Sequence, residues 1–464
     1  MTDAAIPLCI DFDGTLTANP LQLELLLLLA KQSPVRALAA RPTDRPDSTT
    51  DVDVLGLPLR HDLIHWLQNE RRSGRRLVLV VNGDRRIADQ VTTPLGLFDE
   101  YAWVDPRGGS PAERKRSALV ARFGEQGFDY AGSQRSDQIV WKAARRAVVV
   151  GDTALANEVR RVSDVEQVFP RSTPSISIWM RAVRLHQWVK NTLVFLPALL
   201  AHTIFQATVL RSCALAFIAF GLCASSVYLT NDLFDLAADR AHPHKRTRPL
   251  ACGEISPAAG AWASLLLLLG AAAVSAALDL RFALALVGYY LLTCAYSVRL
   301  KRVALLDVMV LATLYTIRII AGAAASNVPV SFWLLAFSVF MFMSLAFIKR
   351  YAELESTRRT ERPAGRGRDY SAEDMPAIMS LGSASGLCAI VVTALYINSP
   401  ESQAIYRYHH VLWLICPLML FWISRAWMLA ARGRLHDDPL VFAVQDGVSL
   451  VTLGLLVVIV YLAI

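Results

Sequence analysis

The stretch NDLFDLAADRAHPHKRTRP, residues 231–249, joins an acidic cluster to a basic run directly after a long apolar segment. The polar groups of the cluster have a spacing that places them mainly on one helix face: Asn231, Asp232, Asp235 and Asp239. Three carboxylates that crowd together repel one another unless a cation neutralises them. Because oxygen ligands without His or Cys suit Mg²⁺, with Mn²⁺ as the alternative, the cluster predicts a divalent-metal site.

The basic run that follows this cluster suits the oxygens of a phosphate group. It contains His242, His244, Lys245, Arg246 and Arg248. Mg²⁺ usually binds one or two protein carboxylates and completes its coordination with water and substrate phosphates. The stretch therefore predicts a site for a phosphorylated substrate, and a solvated helix end of mixed charge is the alternative.

The composition indicates a membrane protein, with 54% hydrophobic and 19% charged residues in a chain of 464. A soluble chain has about 25% charged residues, which excludes a wholly soluble or disordered protein. Nine segments have a length that crosses a bilayer. They are residues 187–204, 208–230, 257–278, 281–298, 304–325, 330–348, 377–398, 410–430 and 441–463.

The loops between these segments alternate in charge. Basic residues follow the second, fourth, sixth and eighth segments, whereas residues 325–330 and 398–407 together contain one basic residue. The positive-inside rule then predicts a multi-pass protein of the cytoplasmic (inner) membrane, with its amino-terminal domain in the cytoplasm and its carboxyl end outside. The net charge is +8. In a membrane protein such an excess of Lys and Arg usually lies in cytoplasmic loops that face anionic lipid or phosphate, so it does not indicate nucleic-acid binding. The Arg-rich residues 356–368 are predicted to form a loop.

The first 175 residues have the composition of a soluble α/β domain, and the membrane domain is predicted to cover residues 180–464. Apolar segments at 8–11, 75–81, 127–132 and 147–152 alternate with helical stretches. That alternation predicts a doubly wound, Rossmannoid parallel sheet. Leu21–Leu29 is also apolar, but it is too short to cross a bilayer and predicts a buried helix.

The segment LCIDFDGTLT, residues 8–17, resembles the first motif, DxDGT, of the haloacid dehalogenase (HAD) superfamily. The resemblance implies that Asp11 is a nucleophile that accepts phosphate and that Asp13 is a general acid. It also implies that Asp137, at the end of GSQRSD, belongs to the acidic metal motif.

The other motifs expected from this resemblance are incomplete. Ser133 stands where the metal motif has its first aspartate, and the segment around Asp152 offers an alternative position one strand later. Lys115 is a candidate for the motif's lysine. We therefore expect a degenerate HAD-like domain that acts as a scaffold or regulator, with an active phosphatase as the alternative.

The longer segment NDLFDLAADRAHPHKRTRPLACGEI resembles the first aspartate-rich motif, NDxxDxxxD, of the UbiA superfamily of membrane prenyltransferases, whose fold has nine spans. Most members have a second motif, DxxxD, after the sixth span. Here the corresponding FIKRYAELE supplies Lys349, Arg350 and Glu353 instead. This departure makes the chain similar to the branch that contains decaprenyl-phosphate phosphoribosyltransferase. RLHQWVKN (184–191), YSVRLKRVALLD (296–307), TIRIIAG (316–322) and HDDP (436–439) also match that branch.

The resemblance implies a Mg²⁺-dependent transfer of 5-phosphoribose from phosphoribosyl pyrophosphate to a polyprenyl phosphate. Asp232, Asp235 and Asp239 would bind the metal and serve as the catalytic carboxylates. The implied substrate contacts are Lys190, Asn191, Asn231, Lys245, Arg246, Arg248, Tyr296, Lys301, Arg318, Lys349, Arg350 and Glu353. A homo-oligomer is left open.

Several alternatives remain at this stage. Asp307 is a candidate partner for the intramembrane Arg318 or a separate substrate contact. His436, Asp437 and Asp438 belong either to the pocket or to a plain loop. The whole chain could instead transfer an isoprenyl group from a prenyl diphosphate to an aromatic or other acceptor. A transporter or membrane scaffold that carries a pseudo-phosphatase is the non-enzymatic alternative.

Overall fold

The computed structural model describes residues 6–19, 58–82, 89–90, 92–105, 108–170, 173–243, 245–359, 369–435 and 438–464. The helix predicted at Leu21–Leu29, most of the Arg-rich loop, His244, His436 and Asp437 lie outside these ranges. The chain divides into two compact units. The first comprises Met1–Val183 and Leu229–Ala263, and the second comprises Arg184–Tyr228 and Ser264–Ile464. Each unit is described by itself.

The first unit contains a six-stranded parallel sheet in the order β3-β2-β1-β4-β5-β6. Its strands are β1 (Leu8–Asp11), β2 (Leu77–Val81), β3 (Glu100–Trp103), β4 (Asp129–Gly132), β5 (Arg146–Gly151) and β6 (Asp164–Pro170). The four predicted strands are confirmed as neighbours in one parallel sheet. The edge strands β3 and β6 were not predicted.

The central strands β1, β2, β4 and β5 are buried along nearly their whole length because the sheet is covered on both faces. Leu8 and Ile10 of β1 belong to one buried cluster, together with Leu77 of β2. Cys9 and Val78, one position along each strand, belong to the buried cluster on the opposite face. Side chains of successive strand residues point to opposite faces, so β1 and β2 contribute to both cores.

Five helices of this unit are α1 (His61–Arg72), α2 (Pro111–Phe123), α3 (Gln138–Ala143), α4 (Thr153–Val159) and α5 (Ile176–Ala182). A capping box fixes the start of α2: the Ser110 hydroxyl accepts from the Glu113 N–H, and the Glu113 carboxylate accepts from the Ser110 N–H. Such a box satisfies two otherwise unpaired N–H groups. It anchors the turn from which Lys115 reaches the protein interior.

The remaining helices carry the apolar segments. They are α6 (Leu196–Leu200), α7 (Ala207–Phe234), α8 (Leu236–Ala241), α9 (Pro257–Ser275), α10 (Leu280–Val298), α11 (Leu306–Ser326), α12 (Phe332–Arg359), α13 (Met375–Ile397), α14 (Pro400–Ile405), α15 (Ile415–Ala431), α16 (Pro439–Gln445) and α17 (Gly447–Ala463).

Within the described residues, seven helices are long and apolar enough to cross a membrane. The pair α16 and α17, bent by 82°, adds an eighth if it is counted as one span. The predicted number of nine is not confirmed. The first predicted span, 187–204, consists of a 3₁₀ segment, Leu185–Phe195, followed by the short helix α6.

The 3₁₀ segment Leu185–Phe195 lies against α11 at a glycine of the second unit. A Cβ atom on Gly322 would lie 2.1 Å from the carbonyl oxygen of Val194. That oxygen belongs to the backbone and cannot rotate away as a flexible side chain could. The close approach therefore requires glycine at this position.

We expect Gly322→Ala to lower the stability of the second unit by about 1–3 kcal/mol, because the added methyl group separates two packed backbones. The measurement is the thermal unfolding of the purified chain in detergent. Gly288→Ala in α10 is the matched control, since a Cβ there would meet no atom within 4 Å. Equal melting temperatures for the two variants would contradict the argument.

Candidate functional sites

The acidic cluster of the first unit lies where α7 ends. Asp235 separates α7 from α8, with backbone φ −96° and ψ 12°. Helical hydrogen bonds nevertheless continue through the break, from Asp235 N–H to Asn231 O (2.9 Å) and from Asp239 N–H to Asp235 O (2.8 Å). Asp232 and Asp239 are buried, while Asn231 and Asp235 are half-buried. The cluster is thus split between two inner and two outer groups.

One guanidinium nitrogen joins the two buried carboxylates. Arg248 Nη1 lies 3.0 Å from Asp232 Oδ1 and 2.5 Å from Asp239 Oδ2. The Lys245 ammonium is 3.9 Å from the other oxygen of Asp239. Arg248 pairs with the acidic cluster in this structure, and its predicted contact with a diphosphate stays a prediction. Lys245 and Arg246 are exposed and remain candidates for the diphosphate.

This geometry fits a divalent cation in one respect. Two carboxylate oxygens converge on a single positive centre, and Mg²⁺ usually takes one or two protein carboxylates. Within the described residues, no group of three or more His, Cys, Asp or Glu is arranged to hold a metal. Asp232 and Asp239 therefore form a two-carboxylate pair. Asp235 as a third ligand stays a prediction.

Arg318 of the second unit is buried within α11. It donates to Asn191 Oδ1 (3.0 Å), to the Tyr289 hydroxyl (2.9 Å) and to the Leu314 carbonyl (2.6 Å). Its guanidinium also lies 4.7 Å from the centre of the Tyr289 ring, a distance at which a cation is attracted to the ring face. The predicted contacts Asn191 and Arg318 are thereby brought together. Among the described residues, the buried Asn191 Nδ2 has no hydrogen-bond partner.

Asp307 pairs with Arg350 rather than with Arg318, so the predicted Asp307–Arg318 pair is wrong. The Arg350 Nε–Asp307 Oδ2 distance is 2.5 Å, and both side chains are buried. Arg350 also donates to Glu353 (2.5 Å) and to the Tyr296 hydroxyl (2.9 Å). Three predicted substrate contacts, Tyr296, Arg350 and Glu353, thus form an internal network. Lys301, another predicted contact, is half-buried in the turn Leu300–Arg302.

Two further predicted contacts, Lys190 and Lys349, share one carboxylate oxygen. Asp438 Oδ2 accepts from the Lys190 ammonium at 2.6 Å and from the Lys349 ammonium at 3.2 Å. The Tyr315 hydroxyl lies 3.3 Å from both oxygens of Asp438. Burial by itself raises the pKa of Asp438, but the Lys349 and Lys190 ammoniums outweigh it and hold that pKa well below its ordinary value. We call this group the Asp438 centre.

A small cavity of about 10 Å³, room for about one water molecule, lies beside the Asp438 centre. Its walls are mainly apolar, with Lys349 and Asp438 at its charged edge. The other lining residues are Leu311, Tyr315, Leu345, Ala346, Pro439 and Leu440. From the sequence, Asp438 could belong either to the substrate pocket or to a plain loop. Tyr315 was not predicted as a site residue, because it lies inside an apolar segment.

The parallel sheet of the first unit positions a separate polar cluster at the carboxyl end of β1. The Lys115 ammonium lies 2.8 Å from Asp11 Oδ2 and 3.2 Å from Asp137 Oδ1, and all three residues are buried. Asp13 is half-buried in the turn after β1. The structure therefore brings Lys115 together with Asp11 and Asp137, and its role as the motif's lysine stays a prediction. Asp152, the alternative acidic residue, caps α4 by accepting from the Leu155 N–H.

Buried polar atoms surround this ion-paired group. In the part of the chain that the structure describes, four of them have no hydrogen-bond partner: Asp11 Oδ1, Thr15 Oγ1, the Tyr130 hydroxyl and Ser133 Oγ. A hydroxyl at position 133 supplies a weaker ligand for a divalent cation than a carboxylate would. Burial raises the pKa of Asp11 to about 7, although the adjacent Lys115 ammonium opposes this rise.

Comparisons with known proteins cover both units. Residues 192–445 match the UbiA prenyltransferase family. The uncharacterized protein y4nM of Sinorhizobium fredii is 36% identical over 460 residues, which cover 96% of this chain and 89% of y4nM. The nodulation protein NoeC of Azorhizobium caulinodans is 38% identical over 289 residues, which cover 61% of this chain and 92% of NoeC.

A decaprenyl-phosphate phosphoribosyltransferase of Mycolicibacterium smegmatis is 37% identical over 202 residues. These cover 42% of this chain and 64% of that enzyme. Among solved structures, a UbiA homolog from Archaeoglobus fulgidus bound to GPP and Mg²⁺ is similar with a TM-score of 0.48 and 16% identity. That similarity covers 61% of this chain and 99% of the homolog.

The raised pKa of Asp11 predicts a pH-dependent loss of stability. An aspartate has a pKa of about 3.9 when unfolded, so between about pH 4 and pH 7 the folded state binds more protons than the unfolded state. Stability falls as the pH rises through that window. Asparagine at position 11 does not titrate, so the variant Asp11→Asn does not lose stability in this way. The free energy of unfolding of the variant, relative to wild type, should therefore rise by on the order of 2 kcal/mol between pH 5 and pH 8.

The measurement is the difference in thermal unfolding between variant and wild type at each pH. Asp62→Asn, at an exposed carboxylate at the start of α1, is the control and should give a flat difference. A flat difference for Asp11→Asn as well would contradict the burial argument.

Proposed function

This chain belongs to the UbiA prenyltransferase family, a class of transferases, and we propose that it transfers 5-phosphoribose from phosphoribosyl pyrophosphate to a polyprenyl phosphate. The product would be polyprenylphosphoryl-5-phosphoribose. The Asp438 centre is the observation that carries the proposal. It gathers two lysines, and positive charge of this kind suits phosphate groups rather than a second metal cluster.

The similarity to decaprenyl-phosphate phosphoribosyltransferase supports the same donor and acceptor. Phosphoribosyl pyrophosphate has two anionic ends, whereas a prenyl diphosphate has one charged end and an apolar tail. Separate groups of Lys and Arg, in a chain that has one acidic cluster, suit the first molecule better.

The acidic pair of the first unit would hold the metal of the reaction. Asp232 and Asp239, the two carboxylates that Arg248 joins, would be its ligands, with Asn231 and Asp235 close to them in the chain. Mg²⁺, or alternatively Mn²⁺, would neutralise the departing diphosphate when bound. Arg248 shares the same oxygens, so metal binding requires its guanidinium to move. Lys245 and Arg246 would then contact the diphosphate together with it.

The proposed step is a displacement at the anomeric carbon of ribose. A phosphate oxygen of the lipid forms the new bond to this carbon, while the bond from the same carbon to the diphosphate breaks and diphosphate leaves with the electron pair. The attacking oxygen is already an anion, so the step needs no strong general base. The chain's own contribution is positioning and charge stabilisation.

Location and orientation belong to the same proposal. The chain would be a multi-pass protein of the cytoplasmic membrane with its soluble domain on the cytoplasmic side, as the basic loops favour. That side also holds water-soluble phosphoribosyl donors. The soluble HAD-like domain would act as a scaffold or regulator and would not take part in the transfer.

The transfer is tested with the purified chain in detergent, Mg²⁺, phosphoribosyl pyrophosphate and a polyprenyl phosphate. We expect lipid-linked phosphoribose, detected by mass spectrometry. Asp239→Asn should lower the rate by about a hundredfold or more, because the departing diphosphate loses charge stabilisation. Asp235→Asn tests the third carboxylate in the same assay.

Asp279→Asn is the matched control, since Asp279 is exposed and caps α10, and asparagine caps equally well. Turnover of a prenyl diphosphate with an aromatic acceptor, and none of phosphoribosyl pyrophosphate, would establish the isoprenyl-transferase alternative. Movement of the lipid across liposomes without turnover would establish the transport alternative.

The soluble domain is tested in the same assay. Asp11→Asn should leave the transfer rate within about twofold of wild type, and both proteins should give a product that retains its 5-phosphate. The product mass is the measurement. A wild-type product without the 5-phosphate, combined with a variant product that retains it, would show an active phosphatase and contradict the scaffold role.

A further inference from the structure

We propose that the Asp438 centre and the apolar side chains beside it form the receptor for the phosphate end of the acceptor lipid, with Asp438 as the positioning residue that holds two lysines against one phosphate. The identity of the lipid, a polyprenyl phosphate, rests on the proposed function. The location of its binding site rests on the geometry of the second unit.

The charge of the Asp438 centre suits a phosphate monoester. Two ammonium groups and one carboxylate leave a net charge of +1, opposite to that of the ligand. Each ammonium has three N–H donors and gives one to Asp438 Oδ2, so donors remain for phosphate oxygens. The two ammoniums would repel each other without the carboxylate between them.

The backbone fixes the position of Asp438. Its Oδ1 accepts from the Leu440 N–H at 3.2 Å, which caps α16. The Tyr315 hydroxyl contacts the same carboxylate, and the Lys190 ammonium lies 5.7 Å from the centre of the Tyr315 ring. Lys190 is thus enclosed, with 10% of its side chain exposed. Lys349, with 31% exposed, is the more accessible of the two cations.

The apolar lining beside this centre distinguishes between the two substrates of the proposed reaction. Leu311 of α11 and Leu345 and Ala346 of α12 form an apolar wall, and both helices are candidate membrane spans. A ribosyl diphosphate placed there would lose its hydrogen bonds to water without replacing them. An isoprenyl chain has no such bonds to lose. A charged edge beside an apolar wall therefore selects a phosphate carried on a lipid chain.

The test measures lipid binding to the purified full chain in detergent by native mass spectrometry, without donor or metal. The probes are decaprenyl phosphate, decaprenol, phosphatidylglycerol and inorganic phosphate. We expect decaprenyl phosphate to bind about tenfold or more tightly than decaprenol, since charged hydrogen bonds are the strong ones. Phosphatidylglycerol and inorganic phosphate should compete weakly.

Lys349→Gln and Lys190→Gln should each weaken binding of decaprenyl phosphate about tenfold and leave decaprenol binding unchanged. Asp438→Asn should have the same effect, because asparagine still caps α16 but no longer holds the ammoniums together. Asp446→Asn is the matched control, since Asp446 likewise caps a helix, α17, and pairs with a cation, Arg425.

Unchanged or tighter binding of decaprenyl phosphate by Asp438→Asn would overturn the positioning role. Equal binding of phosphatidylglycerol would overturn the choice of a polyprenyl lipid, and equal competition by inorganic phosphate would overturn the role of the apolar wall. In the transfer assay, the variants should raise KM for the lipid and leave KM for phosphoribosyl pyrophosphate unchanged. If lipid binding follows this pattern while no transfer occurs, the proposed function fails and the lipid receptor stands.

Discussion

The cost of burying charge in an apolar domain determines how the second unit arranges its polar residues. Each buried cation has its own partners. Arg350 has a carboxylate, Asp307, and Lys190 has Asp438. Arg318 instead has a phenol, an amide, a carbonyl and an aromatic ring face. Removing one partner from such a buried group leaves the other uncompensated, which restricts substitution at these positions.

This constraint separates structural cations from those that suit a ligand. The Arg350 guanidinium donates hydrogen bonds to Asp307, Glu353 and Tyr296. These bonds use most of its five N–H donors. Lys190 and Lys349 share one carboxylate oxygen between two positive charges. The centre they form is incompletely neutralised, which distinguishes it from the Arg350 network and indicates an anionic ligand.

Local sequence pattern predicted the four inner strands and the acidic segment because both depend on the order of neighbouring residues. The edge strands β3 and β6 were missed since most of their residues are only partly buried and polar residues interrupt them, so no long apolar run marks them. The mistaken Asp307–Arg318 pair could have been excluded from the sequence. Eleven residues along one helix correspond to about 16 Å, too far for an ion pair. Its true partner, Arg350, lies on another helix, and such a pairing depends on tertiary packing.

The same reasoning explains why Asp438 could not be assigned from its motif. In the sequence, HDDP is equally consistent with a helix cap and with a ligand-binding carboxylate, because aspartate serves both purposes. In the structure, Asp438 does both: one oxygen caps α16 and the other accepts from two lysines. The cap ties the carboxylate to the backbone, so the lysines converge on a fixed point. A phosphate receptor built in this way depends less on the side-chain conformations of Lys190 and Lys349 than two unsupported lysines would, because its anchor is preorganised.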